Sequence, residues 1–253
     1  METIQELAKM IDHSLLHPTM TDREIIKGCE MARFYGVATA CVKPYSIGLA
    51  LDCLLDSGVG VCAVIGFPHG NSAIKVKEYE TMMACQEGAT EIDMVVNIGK
   101  TLGEDWEYVQ KEIGTVLSVT KSRNALLKVI FENDFLPEDK YKIRLCEICT
   151  DLSVDFVKTS TGYGFVKAVD GKYSYRGATA SDLQLMRAHC GPMVQIKAAG
   201  GIRDLDGLLS AKALGATRIG ASATDIILEE ARKRFSGNPN QGRPSLYNSK
   251  DGY

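Results

Sequence analysis

The sequence has no excess of positive charge, no long apolar run and no start typical of a secretory leader. Its 29 Lys and Arg are outnumbered by 32 Asp and Glu, which gives a formal net charge of −3. A dedicated nucleic-acid binder would carry a basic excess that releases counterions from phosphates. No run of about 18 apolar residues predicts a transmembrane helix, and the first residues, with Glu2 and Glu6, lack the apolar segment of a signal peptide. We therefore expect a cytoplasmic protein with neither nucleic-acid nor membrane partners.

The cysteines do not form the pattern of a disulfide framework, and the histidines do not have metal-ligand spacing. The 8 Cys lie in apolar or helical segments of a chain that is neither short nor turn-rich, so we interpret them as free thiols. Cys146 and Cys149 have the spacing of a redox pair, but they lie in a predicted helix, away from any strand end. Nothing in either residue type therefore favours redox chemistry or a metal site.

Short β-type runs alternate with helical stretches along the chain. The 45% hydrophobic and 24% charged residues are typical of a globular protein. Successive runs start roughly 30 residues apart, which is the length of a βαβ unit. Eight such units close a TIM (β/α)8 barrel of about 250 residues. The alternative, an open doubly wound sheet, would need a G-x-G-x-x-G turn after its first strand, and the sequence has none. The runs are residues 11–15, 37–42, 59–65, 90–96, 125–131, 154–159, 193–198 and 216–221.

We expect a single barrel domain over residues 1–235 that includes a short N-terminal helical segment. Residues 236–253 are rich in Gly, Pro, Asn and Ser, and we expect them to form a mobile tail. Two helices have clear start signals. Thr179 precedes Asp182 by three residues, and Asp204 precedes an apolar stripe that Gly215 ends.

Four consecutive predicted strands contain a charged residue where a barrel core is expected to have Val, Ile or Leu. Buried charges are costly unless they are paired, so these residues must form one network. A purely structural salt-bridge cluster is one interpretation, but three lysines against one aspartate would be poorly neutralised. The residues are Asp93, Lys128, Lys158 and Lys197.

The same imbalance suits a lysine that forms a Schiff base. A lysine amine is nucleophilic only when it is unprotonated, and a neighbouring cation together with partial desolvation favours that form. Lys158 and Lys197 come near the C-terminal ends of adjacent predicted strands, which is the face where barrel active sites lie. We predict that one of them attacks a carbonyl while the other keeps it deprotonated, and that Asp93 relays protons.

Turns that contain glycine follow the last three predicted strands. Backbone N–H groups in such turns can approach an anion closely, and the helix that follows adds its dipole. Barrels commonly bind phosphate in the loops after strands seven and eight, so we predict an anion site here. Lys43, which follows the second strand, is interpreted as an exposed residue of the rim. The residues of the predicted anion site are Gly162, Gly200, Gly201 and Ser222.

Five segments resemble those of the 2-deoxy-D-ribose-5-phosphate aldolase family, which are class I aldolases on a TIM barrel. The order and spacing of K-T-S-T-G, A-G-G-I-R and E-I-D-M-V make a specific combination. The resemblance extends over nearly the whole chain, to about residue 235. The segments are I-D-H-S-L-L at 11–16, V-I-G-F-P-H-G at 64–70, E-I-D-M-V-V-N-I-G at 91–99, D-F-V-K-T-S-T-G at 155–162 and K-A-A-G-G-I-R at 197–203.

This resemblance implies a reaction and a set of roles. The reaction is the cleavage of 2-deoxyribose 5-phosphate to acetaldehyde and glyceraldehyde 3-phosphate, without a metal or organic cofactor. Lys158 matches the Schiff-base lysine, Lys197 the second lysine, and Asp93 the proton-relay aspartate. Asp12 and Lys128 match supporting polar residues, and the glycine turns named above match positions around the substrate phosphate. The family resemblance also implies a homodimer or a higher homo-oligomer.

Three segments depart from the family's pattern, all at or near the catalytic face. Lys43 stands where many members have Asn, F-E-N-D-F-L at 131–136 replaces a segment closer to I-E-T-x-x-L, and residues 165–176 lengthen the loop after the sixth strand. They leave open an acetaldehyde-dependent aldolase with a different acceptor aldehyde. A non-catalytic sugar-phosphate-binding barrel is the alternative from another class. Tyr253 is either incidental or, as in some members that end in Tyr, assists proton transfer in the active site.

Overall fold

The computed structural model describes residues 3–167 and 169–235. Eight parallel strands form a closed barrel, so the predicted TIM barrel is confirmed, and every predicted run overlaps one strand of the ring. The barrel strands are β1 (Ile11–Leu15), β2 (Thr39–Val42), β3 (Gly60–Ile65), β4 (Glu91–Val95), β5 (Leu126–Ile130), β6 (Phe156–Lys158), β9 (Gln195–Ala199) and β10 (Arg218–Ala221).

The ring follows chain order and closes where the last strand meets the first. β1 pairs in parallel with β2 on one side and with β10 on the other. β6 pairs with β9, because the two strands between them in sequence lie outside the ring. The C-terminal ends of all eight strands therefore open on the same face, which we call the catalytic face.

Helices connect the strands and cover the outside of the ring. The start signals predicted for two of them are confirmed, since Thr179 accepts a hydrogen bond from the Asp182 N–H at 3.1 Å and Asp204 accepts one from Gly207 N–H at 2.8 Å. Within the described ranges, every helix is too short or too polar to span a bilayer. The helices are α1 (Ile4–Ala8), α2 (Asp22–Tyr35), α3 (Ile47–Leu54), α4 (Ile74–Glu87), α5 (Ile98–Leu102), α6 (Trp106–Ser122), α7 (Asp139–Asp151), α8 (Ala180–His189), α9 (Leu205–Ala213) and α10 (Thr224–Phe235).

The lengthened loop after β6 contains a feature that the sequence analysis did not predict. Strands β7 (Val166–Lys167) and β8 (Tyr173–Ser174) pair in antiparallel fashion as a small ribbon outside the barrel. Both strands of this ribbon are exposed, so no buried apolar pattern marked them in the sequence. The predicted domain end at residue 235 and the predicted tail stay predictions, because residues 236–253 lie outside the described residues.

The core consists of the outer faces of the strands and the inner faces of the helices. Every residue of β4 is buried, as expected for a parallel sheet that is covered on both faces. In α6, Val109, Ile113 and Val116 are completely buried. Their spacing of four and three residues places them on one side of the helix, which packs against the barrel.

A buried ion pair ties two loops of the catalytic face to the helices behind them. Lys77 of α4 and Glu112 of α6 are fully buried and lie 2.6 Å apart. The Lys77 amine also donates to the carbonyls of Gly70, at 2.8 Å, and Val95, at 2.7 Å. The second oxygen of Glu112 accepts the N–H of Asn97 at 2.8 Å. Burial lowers the pKa of Lys77 and raises that of Glu112, against the attraction between them, so each charge depends on the other.

Removing one residue of this buried ion pair should lower the free energy of unfolding far more than removing one residue of an exposed ion pair. Glu112→Gln leaves the Lys77 charge buried without its counter-ion, so we expect the free energy of unfolding to fall by about 3 kcal/mol. Glu78→Gln is the matched control, because Glu78 pairs at 2.7 Å with Lys75, whose side chain is 87% exposed, and it should cost less than about 1 kcal/mol. Urea denaturation measures both. Equal losses would contradict the role of the buried pair.

Candidate active site

The carboxylate of Asp93 contacts three lysines from three other strands. Its Oδ1 accepts a hydrogen bond from Lys128 of β5 at 2.8 Å. Its Oδ2 accepts one from Lys158 of β6 and one from Lys197 of β9, each at 2.7 Å. All four side chains are buried inside the ring. The structure thus brings together the four charged strand residues that the sequence predicted to form one network.

Three further charged residues surround this cluster. Asp12 of β1 lies 2.5 Å from the Lys197 amine and 3.6 Å from the Lys128 amine. Glu91, two residues before Asp93 on β4, lies 2.6 Å from the Lys128 amine. The guanidinium of Arg218 joins the two carboxylates of this outer group, at 2.5 Å from Asp12 and 2.8 Å from Glu91. Asp12 and Lys128 were expected as supporting residues, whereas Glu91 and Arg218 were missed.

The charge count of the sequence analysis, three lysines against one aspartate, was therefore wrong. The network holds three carboxylates and four cations. Glu91 could have been found, because residues two apart on a strand point to the same face. With Lys158 counted as a neutral amine, the three carboxylates balance Lys128, Lys197 and Arg218. The network thus carries no net charge when one of its lysines is a neutral amine.

The pKa values of the other members support their charged forms. Burial alone would raise the pKa of Asp93, but the attraction of the three lysines holds it well below its usual value. In the same way, burial opposes the charge of Lys197, yet the carboxylates of Asp12 and Asp93 raise the pKa of that lysine. Lys128 is also held protonated by surrounding carboxylates, against its own burial. The network therefore supplies fixed charges around Lys158.

Lys158 lies at the end of β6 and next to Lys197 in the sheet. The two are paired in the register between β6 and β9, so the expected neighbouring positions are confirmed. The Lys158 side chain is 3% exposed, whereas those of Lys197 and Lys128 are 1% and 0% exposed. All three lysines are therefore buried, and Lys158 is the last residue of its strand at the catalytic face.

Two cysteines, which the sequence analysis did not assign to the site, border the network. The Cys62 thiol lies 3.1 Å from Asp93 Oδ1 and accepts from the Lys128 amine at 3.2 Å. Cys41 lies 3.7 Å from it, sulfur to sulfur. Burial raises the pKa of Cys62 well above its usual value, so its thiol is a neutral donor to Asp93.

In the described part of the chain, two groups of three side chains have potential metal-ligand atoms close to one another, and both groups include residues of this network. The sets are Cys41, Cys62 and Asp93, and Asp12, Cys62 and Glu91. Their carboxylates already contact Lys and Arg cations at 2.5–2.8 Å. A metal cation would have to displace these amines or lie beside them, so the donor set does not fit a metal.

The glycine turns lie at the catalytic ends of three neighbouring strands. Gly162 follows β6, and Gly200 and Gly201 follow β9, with φ of 89°, 89° and 83°. This left-handed backbone favours glycine. Ser222 follows β10 and is exposed. The four predicted anion-site residues therefore follow three neighbouring strands of the ring at the catalytic face.

The loop after β6 also carries an aromatic residue that contacts rings from two other loops of the catalytic face. Tyr163, from the loop after β6, contacts the rings of Phe67, at 5.6 Å between centroids, and His17, at 6.5 Å. It thereby reaches the loops that follow β3 and β1. The exposed position predicted for Lys43 is wrong: Lys43 is half-buried, and its amine donates to the His17 carbonyl at 2.7 Å and lies 5.4 Å from the centroid of the Tyr45 ring.

A buried glutamate that the sequence analysis did not assign to the site holds the loop after β6. Glu132 accepts the N–H of Thr161 at 3.2 and 3.3 Å and also the Thr161 hydroxyl. Its backbone is left-handed, with φ of 59°. Burial raises the pKa of Glu132 to about 7, against the hydrogen bonds from Thr161. The remaining predicted site residue, Tyr253, lies outside the described residues.

Comparisons with known proteins match the chain to one family of aldolases over most of its length. The sequence matches the DeoC/LacD family of aldolases over residues 7–229. A deoxyribose-phosphate aldolase of Rhodopirellula baltica is 49% identical over 230 residues, which cover 91% of each chain. Another, from Caldanaerobacter subterraneus subsp. tengcongensis, is 44% identical and covers 93% of this chain and 98% of that one. The solved structure of a deoxyribose phosphate aldolase from Aeropyrum pernix, described as tetrameric, has a TM-score of 0.80 and 29% identity, and covers 92% of this chain and 93% of that one.

The raised pKa of Glu132 predicts a pH-dependent cost to stability. Its value of about 7 exceeds the ordinary 4.5, so between these pH values the folded state keeps a proton that the unfolded state releases. Relative to Glu132→Gln, the unmodified protein should therefore lose unfolding free energy as the pH rises through this window, by at most about 3 kcal/mol. Urea unfolding at pH 5 and pH 8 measures the difference. Glu138→Gln, an exposed change nearby, should show none, and a constant difference for Glu132→Gln would disprove the coupling.

Proposed function

The chain belongs to the DeoC/LacD family of aldolases, and we propose that it is a class I aldolase that reversibly cleaves 2-deoxyribose 5-phosphate to acetaldehyde and glyceraldehyde 3-phosphate. Relatives that are 49% and 44% identical over most of the chain have this activity in their names, which supports the same reaction here. The observation that supports the mechanism is the charge balance of the network: Asp12, Glu91 and Asp93 match Lys128, Lys197 and Arg218 in number, so a neutral Lys158 leaves no net charge.

Lys158 acts as the nucleophile in this proposal. Its neutral amine attacks the aldehyde carbon of the open-chain sugar, and loss of water gives the imine. A base then takes the proton of the hydroxyl on the third carbon, and the bond between the second and third carbons breaks. The electron pair moves into an enamine on Lys158 while glyceraldehyde 3-phosphate leaves. Protonation of the enamine carbon and addition of water release acetaldehyde and restore the amine.

Lys197 and Asp93 act on the protons of these steps. Lys197 is held as a cation by Asp12 and Asp93, so it favours the neutral form of the neighbouring Lys158 and stabilises negative charge that develops on oxygen. Asp93 contacts both amines at 2.7 Å and can pass a proton between them and the substrate. Asp12 and Lys128 hold this carboxylate and this cation in place.

The phosphate group of the substrate is proposed to bind over Gly162, Gly200, Gly201 and Ser222. The left-handed glycines present backbone N–H groups without side chains in the way, and α10 begins two residues after Ser222. Both features attract an anion. The exposed ribbon of β7 and β8 follows the first of these turns, in the loop that departs from the family's pattern. Activity assays with a panel of donor and acceptor aldehydes determine which acceptors the protein uses.

Trapping with borohydride tests the role of the two lysines. In the unmodified protein, borohydride and substrate should leave one covalent adduct on the peptide that contains Lys158. Lys158→Leu should form no adduct, and it should fold, because the remaining network is balanced. Lys197→Leu should still form the adduct but lose turnover by on the order of a hundredfold. An adduct elsewhere in Lys158→Leu, or near-normal turnover in Lys197→Leu, would refute the assignments. Without any adduct or acetaldehyde release, the chain would be a non-catalytic barrel.

A new negative charge at Ser222 tests the phosphate site. Ser222 is exposed, so Ser222→Asp should fold normally but repel the phosphate. We expect kcat/KM to fall by about tenfold or more for deoxyribose 5-phosphate and to change by less than about twofold for unphosphorylated deoxyribose. Ser210→Asp adds the same charge at an exposed position of α9 and should affect neither substrate. Equal losses on both substrates in Ser222→Asp would place the phosphate elsewhere.

A further inference from the structure

We propose that Asp134 is a positioning residue for the substrate phosphate, because it holds the end of the β6 loop against the Gly200 turn. This proposal rests on the function proposed above and deepens it. Asp134 belongs to the segment of residues 131–136, and it acts on the lengthened loop of residues 165–176. Both segments depart from the pattern of the resembled family, and the structure connects them directly.

The carboxylate of Asp134 binds two consecutive backbone N–H groups. Its Oδ1 accepts from Arg176 N–H at 2.7 Å, and its Oδ2 accepts from Gly177 N–H at 2.9 Å. The Asp134 side chain is only 4% exposed, whereas the Arg176 guanidinium is 76% exposed and 3.9 Å away. The backbone contacts, and not the ion pair with the exposed arginine, are therefore the strong part of this interaction.

Gly177 is in direct backbone contact with the proposed phosphate turn. A Cβ at Gly177 would lie 2.5 Å from the carbonyl oxygen of Gly200, and one at Gly200 would lie 2.9 Å from the Cα of Gly177. The next residue, Ala178, donates its N–H to the Gly200 carbonyl at 3.1 Å. With no side chain between the two backbones, a shift of Gly177 must move Gly200 or break this contact.

The segment that carries Asp134 is itself fixed to the start of the same loop. Asn133 donates its backbone N–H to the Thr159 carbonyl at 3.0 Å, one residue after Lys158. Glu132 binds the N–H and hydroxyl of Thr161. One short segment thus holds the loop at both ends, and it relates the lysine end of the site to the phosphate end.

The charge of Asp134 also favours a positioning role. A carboxylate would repel a phosphate in direct contact, so its benefit has to come through the N–H groups that it orders. The two N–H groups bind different oxygens of Asp134, and Asn has an N–H₂ donor in place of one of these oxygens, so it cannot keep both contacts in this geometry. Asp134→Asn therefore removes one of the two bonds with almost no change in volume.

The test compares Asp134→Asn with Asp170→Asn. Asp170 is an exposed carboxylate in the same loop whose contacts are local, with the Lys172 N–H at 3.0 Å and the Lys172 amine at 3.8 Å, so its replacement is a matched control. For Asp134→Asn we expect KM for deoxyribose 5-phosphate to rise by about ten- to twentyfold, the lower end of what a lost hydrogen bond to a charged group costs. Its kcat, the borohydride adduct, and kcat/KM for unphosphorylated deoxyribose should stay within about twofold. Asp170→Asn should match the unmodified protein throughout.

Binding of inorganic phosphate gives a readout that does not depend on catalysis. Its Kd, measured by calorimetry, should rise in Asp134→Asn by the same factor as KM. Gly177→Ala forces a Cβ toward the Gly200 carbonyl, so it should also raise the Kd for phosphate. It replaces Asp134→Asn in the test if that variant does not fold. Equal losses on both sugars, an unchanged Kd for phosphate, or an equal effect of Asp170→Asn would overturn the proposal. If phosphate binding changes as expected but no protein forms an adduct, the positioning role holds and the proposed aldolase mechanism fails.

Discussion

The Asp93 carboxylate is the contact on which the rest of the structure depends. It accepts hydrogen bonds from lysines on β5, β6 and β9, and none of these amines could be buried in the ring without a counter-charge. Asp12, Glu91 and Arg218 complete the compensation from β1, β4 and β10. Six of the eight barrel strands thus contribute a charge to one interior network. Closure of the ring is therefore a condition for the chemistry as well as for packing, because an open sheet would leave these charges unmatched.

The network also explains why two adjacent lysines can behave differently. Lys197 lies between two carboxylates, whereas Lys158 contacts Asp93 and is the more exposed of the pair. The difference arises from neighbours on other strands, and not from the residues next to either lysine in sequence. In the proposed mechanism Lys158 forms the covalent bond, while Lys197 stays between its two carboxylates. The thiol of Cys62 adds a neutral donor to Asp93 without changing that balance.

Much of this could be predicted from the sequence because its signals are local. The eight strands follow from apolar runs at βα spacing, and the charges inside four of them stand out against a core of Val, Ile and Leu. The residues that pair with those charges are harder to predict from the sequence. Arg218 joins Asp12 only because β10 closes on β1, and pairing across that closure is not encoded by neighbouring residues. The sequence analysis placed Lys43 wrongly for a related reason, since its amine donates to the His17 carbonyl of another loop, a contact that no neighbouring residue indicates. The ribbon of β7 and β8 has no buried face, and therefore no periodicity to detect.

The loop that carries the ribbon is held to the barrel at both ends. Glu132 accepts from Thr161 at its start and Asp134 accepts from Gly177 at its end, while the strands of the ribbon are exposed. Insertions and deletions between these two anchors would alter the rim without moving any strand that carries an amine. Substitutions of the charged residues inside the ring have no such freedom, because each one disturbs a balanced set of charges. Within this architecture, substrate range can evolve by changes in loop length, whereas the covalent chemistry is constrained residue by residue. The contacts of Glu132 and Asp134 therefore separate a loop whose length and sequence can vary from strands whose charged residues cannot.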